Sequence, residues 1–189
     1  MEGMKVDALV SPRPVVVGTI HAPADIDCAL KLQPEAVDLL ELRVDAFASD
    51  PGVLREAALR LRERGMALLV TVRHPAEGGA GALRLAVRRQ LFRNFLSVAQ
   101  WVDFEVRSAE AMEEEIAAAR AQGTRIVLSD HHFNGTPAPA VLQRRFNDAR
   151  EWRPDIFKVA ATARTPQELE KLLGFLNWGS AREPGRMAV

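Results

Sequence analysis

Leu40-Glu41-Leu42-Arg43-Val44-Asp45 alternates apolar and charged residues. An extended backbone therefore sends Leu40, Leu42 and Val44 to one face and Glu41, Arg43 and Asp45 to the other. In an α/β protein the apolar face meets the helices, and the charged face then points into an enclosed interior near the strand's C-terminal end. The alternative is a solvated edge strand carrying a row of ion pairs. Strands of parallel sheets are normally covered on both faces, which favours the enclosed reading.

Outward from this stretch, short apolar runs alternate with longer helical patterns. The runs predict strands at Val15–Ile20, Asp38–Arg43, Ala67–Arg73, Trp101–Val106, Arg125–Asp130 and Asp155–Ala160, with a seventh beginning at Arg186–Val189. They recur about every 28 residues, the size of a βα unit. Leu54, Ala57, Ala58 and Leu61 fall at helical spacing, as do Leu85, Val87, Leu91, Phe95 and Val98. Ala109–Gln122 closes at Gly123, and Val141–Arg150 follows Pro139. Thr165-Pro166-Gln167-Glu168 reads as an N-cap, a first-turn proline and a capping-box acid opening a helix to Phe175.

Repeated βα units mean a parallel sheet clad in helices, either a doubly wound sheet or a (β/α)8 barrel. Gly18 stands alone after the first strand, where a dinucleotide-binding sheet would want G-x-G-x-x-G. Charged residues end at least four strands, as barrel sites require. The expected fold is thus a single TIM-type barrel domain over 1–189. It is incomplete at the C-terminus, with six βα units and the start of a seventh strand, since eight units usually take roughly 250 residues.

The 189 residues hold 25 Lys and Arg against 25 Asp and Glu, so no basic surplus exists for non-specific nucleic-acid binding. Cys28 is the sole cysteine, which excludes an internal disulfide framework and makes a reducing, cytoplasmic location the expectation. The start, MEGMKVDALVSPRP, lacks the apolar core of a secretory signal, and no run approaches 18 apolar residues.

Candidate chemistry gathers at the strand ends. Thr71 and Arg73 leave the third strand on one face, and Pro75, Gly78 and Gly79 force a tight loop able to hold Glu77 over the barrel mouth. Asp103 and Glu105 flank Phe104 as an inward pair, needing cationic partners for which Arg43 and Arg73 are available. An interior ion-pair network and a catalytic role both fit them. Ser129 and His131 share a face, with His132 and Phe133 in the turn beyond; an imidazole there is placed for proton transfer. Lys158 lies in Ile156-Phe157-Lys158-Val159-Ala160-Ala161 without a charged neighbour and points inward. Two readings stay open. Burial leaves a neutral amine, a nucleophile for ketones, or Asp103 or Glu105 holds it as an ion pair. His131 precedes Lys158 by about one unit, which places the two on adjacent strands at similar height. Lysine and histidine together point to elimination or carbon–carbon cleavage at a ketone.

These residues resemble the type I 3-dehydroquinate dehydratases of the shikimate pathway. The resemblance rests on Glu41-Leu-Arg43-Val-Asp45, Thr71-Val-Arg73 with Glu77-Gly78-Gly79, Ser129-Asp-His131-His-Phe133 with Thr136-Pro137, and Phe157-Lys158-Val159-Ala160. It runs in order from about Val15 to Val189. It implies dehydration of 3-dehydroquinate to 3-dehydroshikimate without cofactor or metal, in a cytoplasmic homo-oligomer, a dimer, with neither nucleic acid nor membrane as partner. Lys158 would form the Schiff base, His131 act as general acid and base, and Glu77 assist or orient His131. Glu41, Arg43 and Arg73 would hold the substrate, and Thr19 a hydroxyl. The family's carboxylate-binding arginine and its Ser- and Gln-bearing loop lie beyond the seventh strand and have no counterpart in this sequence, so impaired activity is expected. Two other functions fit: a non-catalytic barrel remnant serving as an oligomerising or interaction module, and an aldolase-like Schiff-base lyase.

Overall fold

The computed structural model describes residues 15–189; the N-terminal stretch read above for a secretory signal lies outside the described residues. Seven strands run parallel, each beside its sequence neighbours: β1 Val17–Ile20, β2 Leu39–Arg43, β3 Leu68–Thr71, β4 Trp101–Glu105, β5 Arg125–His132, β6 Ile156–Ala161 and β7 Met187–Ala188. The sheet curls into a partial barrel, and among the described residues β1 and β7 form its two edges. A helix follows each of the first six strands: α1 Pro23–Ala29, α2 Pro51–Glu63, α3 Leu85–Phe95, α4 Glu113–Ala121, α5 Pro139–Glu151 and α6 Pro166–Ser180.

Side-chain alternation splits the sheet into two faces. Leu40, Leu42, Leu68, Val70, Val102, Phe104, Leu128, Phe157 and Val159 meet the helices in the main core. Helical stripes supply the other half: Leu54, Ala57, Ala58 and Leu61 of α2 are buried, as are Leu91, Phe92 and Phe95 of α3. Each fully buried leucine contributes about 1.5–3 kcal/mol relative to exposure. The Phe92 and Phe104 rings lie 4.4 Å apart across the α3–β4 interface. The inner face has an apolar floor, where Leu39, Ala67, Leu69, Trp101, Val127 and Ile156 pack together. Above that floor, toward the C-terminal strand ends, the inward positions turn polar.

The ladder differs from the sequence reading in several places. β3 stops at Thr71, because Arg73 offers its backbone N–H to Asp45 rather than to a neighbouring strand. β5 continues through His132, because β6 pairs with it as far as Ala161. α1 escapes periodicity analysis because it has only seven residues; Pro23 at its start and the Asp25 carboxylate, accepting from the His21 and Ala22 N–H groups, define it instead. α6 runs on to Ser180 past the expected Phe175, behind the Thr165 hydroxyl that accepts from the Glu168 N–H at 3.2 Å.

Candidate active site

The inward residues of β2 to β6 bring Glu41, Thr71, Asp103, Glu105, Ser129 and Lys158 into one interior at successive register levels. The register pairs Arg43 with Thr71, Thr71 with Asp103, Glu105 with Ser129, and Ser129 with Lys158. Arg73 is the hub. Its guanidinium grips Asp103 with two nitrogens at 3.0 and 2.9 Å, donates to Ser129 Oγ at 2.7 Å, and reaches Glu105 at 3.3 Å. Only 3% of its side chain is exposed. Burial works against that charge, but Asp103, Glu105 and Glu41 together raise its pKa above the ordinary arginine range. Burial also pushes the Asp103 carboxyl up; Arg73 first, then Lys158, outweigh this and hold it well below the usual carboxylate range.

Lys158 Nζ sits 3.2 Å from Asp103 Oδ2, with 31% of its side chain exposed. Of its two sequence readings, the contact with Asp103 is present, and the side chain is partly exposed rather than dry. The side chain opens onto a cavity of about 730 Å³ whose polar wall is Thr19, Glu41 and Lys158. The floor of that cavity includes Leu39, Leu69, Val127 and Ile156. His131 and Lys158 do share the inner face of adjacent strands, but not the same height. The ladder pairs Lys158 with Ser129 and His131 with Ala160, so His131 stands two residues nearer the mouth, about 7 Å along the strand.

The 74–79 loop delivers Glu77 to His131. Gly78 caps the loop's single 3-10 turn with φ of 81°, a left-handed conformation suited to glycine. A Cβ at Gly79 would lie 2.2 Å from the Arg73 carbonyl oxygen. Glu77, 4% exposed, faces His131 Nδ1 at 2.8 Å and accepts the His131 backbone N–H at 3.2 Å on the same oxygen. A carboxylate only accepts, so Nδ1 carries the hydrogen and Nε2 is left as the basic nitrogen. His132 belongs to the opposite face, 2.8 Å from Asp130.

Glu41 accepts from Thr71 at 2.8 Å and from Thr19 at 3.3 Å, and lies 3.8 Å from Arg73. Arg43 is not a partner of Asp103 or Glu105. Its guanidinium forks onto Asp45 at 3.1 and 2.8 Å and donates to the Gly78 carbonyl at 3.0 Å, because Asp45 is two residues along the same chain and buried beside it. Burial pushes the Asp45 carboxyl up, but Arg43 and the Ala80 and Arg73 amides draw it below its ordinary value.

Sequence reasoning missed Arg88. From α3 it reaches Glu105 at 2.6 Å, the Val72 carbonyl at 3.0 Å and Ser108 at 3.2 Å. The signal was present: Arg88 lies on the stripe of Leu91, Phe92 and Phe95, where a charged residue needs a buried partner.

The type I 3-dehydroquinase family model matches residues 15–187. The chain belongs to this family. Among curated relatives, the 3-dehydroquinate dehydratase of Pyrococcus abyssi is 32% identical over 140 residues, covering 73% of this chain and 62% of the relative. That of Staphylococcus epidermidis is 27% identical over 150 residues, covering 76% and 63%. The chain thus spans a little under two-thirds of the length of these relatives. The 3-dehydroquinate dehydratase of Geobacillus kaustophilus has a solved structure that superposes with a TM-score of 0.84 at 25% identity, covering 95% of this chain and 73% of that one. The Clostridium difficile type I enzyme, solved with covalently modified comenic acid, gives 0.85 at 23%, covering 95% and 75%. As a family of known fold the type I 3-dehydroquinases account for the parallel, curled sheet, while a deoxyribose phosphate aldolase from Aeropyrum pernix is a more distant likeness in fold, at 0.59.

Proposed function

We propose that this chain carries a hydro-lyase centre that dehydrates 3-dehydroquinate to 3-dehydroshikimate. One observation supports this reading above the others: Lys158 and a Glu77-oriented His131 stand on the same inner face of neighbouring strands. The lysine must lose a proton before it attacks. Asp103 is a poor acceptor, since two cations hold it ionised, so the proton goes to His131 Nε2 or to water. Lys158 Nζ then bonds to the ketone carbon, and the carbinolamine loses water to give an iminium. The iminium acidifies the neighbouring carbon. His131 takes its proton, and the β-hydroxyl leaves with a proton returned by His131. Water hydrolyses the conjugated iminium and frees the amine. The net change is loss of one water.

Glu41, Thr19 and Arg43 are the proposed hydroxyl and carboxylate contacts. Arg73, with its donors on three protein acceptors, serves chiefly to set the charge around Asp103 and Glu41. No helix of the described residues is long and apolar enough to cross a membrane; a cytoplasmic location belongs to this same proposal. So does the dimer, supported by the edges that β1 and β7 leave unpaired among the described residues, which favour association.

Borohydride added with dehydroquinate is expected to leave a reduced adduct on Lys158, located by peptide mass spectrometry. Protein that stays unmodified overturns the reading and leaves a non-catalytic module. A carbon–carbon cleavage product in place of an enone chromophore would move the chemistry to an aldolase.

A further inference from the structure

Glu77 serves His131 from a turn that His74 helps to hold, beside the Arg43 contact to the Gly78 carbonyl and the Ala80 amide on Asp45. The His74 backbone N–H donates to Glu105 at 2.8 Å, and its carbonyl accepts from Glu77 at 2.8 Å and from Gly79 at 3.1 Å. Its ring closes the turn: Nδ1 accepts the Ala76 N–H at 3.0 Å, as a side-chain cap does at a helix start. An imidazole accepts only through an unprotonated nitrogen. We propose that the His74 ring is a positioning residue for the His131–Glu77 pair: its unprotonated Nδ1 caps the turn that carries Glu77, and a proton on His74 releases Glu77 from His131. The inference rests on the proposed proton-transfer role of His131.

The surroundings keep the cap intact near neutral pH. Arg88 from α3 and Arg107 from the turn after β4 face His74, opposed by Glu105 of β4 and Glu77 of its own turn. Burial first, then the Arg88 charge, set its pKa below the ordinary histidine value. Folding therefore favours the neutral ring, and the cap is lost as pH falls below that ordinary value. Ala76 is exposed, so water meets its released N–H and the turn loosens without unfolding the barrel.

The chain has four histidines, which suits ring-labelled NMR of the whole protein. In the unmodified chain the Nδ1–H resonance of His131 is expected to vanish in step with protonation of His74. In His74→Asn, whose side chain caps without titrating, it is expected to persist to lower pH. His74→Ala is expected to speed amide exchange at Ala76 on the order of fivefold, the change for losing one hydrogen bond of typical net worth, with His74→Asn near the unmodified rate. A His131 resonance indifferent to His74 protonation, or one that behaves alike in the unmodified chain and His74→Asn, overturns the proposal. None of these readouts needs turnover. A missing Lys158 adduct beside a His131 signal that follows His74 sinks the reaction and keeps the positioning, whereas an adduct beside an indifferent His131 does the reverse.

Discussion

Arg73 and Lys158 approach the same carboxylate, and their settings could hardly differ more. Arg73 is 3% exposed, grips both oxygens of Asp103, and spends its remaining reach on Ser129, Glu105 and Glu41. Lys158 is 31% exposed, meets one oxygen, and opens onto the cavity beside β1 and β7. The β3–β5 side is a dense ion network that Arg88 joins from α3, whereas the β6–β7 side is sparsely bonded. Every donor committed to the frame costs energy to withdraw, so a residue that must exchange partners during a reaction belongs on the sparse side. Asp103 joins the two regions: anchored by the arginine, it presents a fixed negative charge to the lysine.

Arg73→Met breaks this contrast most severely. It strands Asp103 and Glu105 as buried charges short of a partner, and a loss of about 3–5 kcal/mol is expected in urea unfolding. A loss below about 1 kcal/mol would show the network to be ordinary surface electrostatics.

Acid sharpens it. The Asp103 and Asp45 carboxyls are lowered in the fold, so the stability they contribute is complete above the unfolded carboxylate value of 3.8 and drains away as pH falls through their folded values. Acid unfolding monitored by circular dichroism is expected to set in below about pH 4 from this source, and Asp103→Asn should flatten that limb. An unchanged slope in the variant would remove Asp103 from the account.

The smallest effect falls on the open side. Lys158→Met is expected to change stability by less than about 1 kcal/mol, because Arg73 still neutralises Asp103, while abolishing the borohydride adduct. A loss comparable to that of Arg73→Met would make the lysine part of the frame.

Much of this arrangement was legible in order along the chain. The alternation around Glu41, the inward Asp103 and Glu105, the glycines behind Glu77 and the lone charge at Lys158 each followed from neighbours in sequence. Arg88 and the His74 cap did not, though an arginine on an apolar stripe and a histidine before Pro75 were both in view. Arg43, which the sequence makes available to Asp103 and Glu105, pairs with Asp45 instead, a residue that local pattern presents as one more inward charge.

The strand order, the two faces of the sheet and the identity of the inward residues were determined by the sequence alone, because bond geometry alternates side chains along any strand and short βα links keep neighbours adjacent. The tertiary structure decided which cation neutralises which carboxylate, that Lys158 rests paired rather than dry, and that His131 rides one pleat above it. Those outcomes depend on ladder register, side-chain reach and water access, distances between residues up to 56 positions apart that no local pattern encodes.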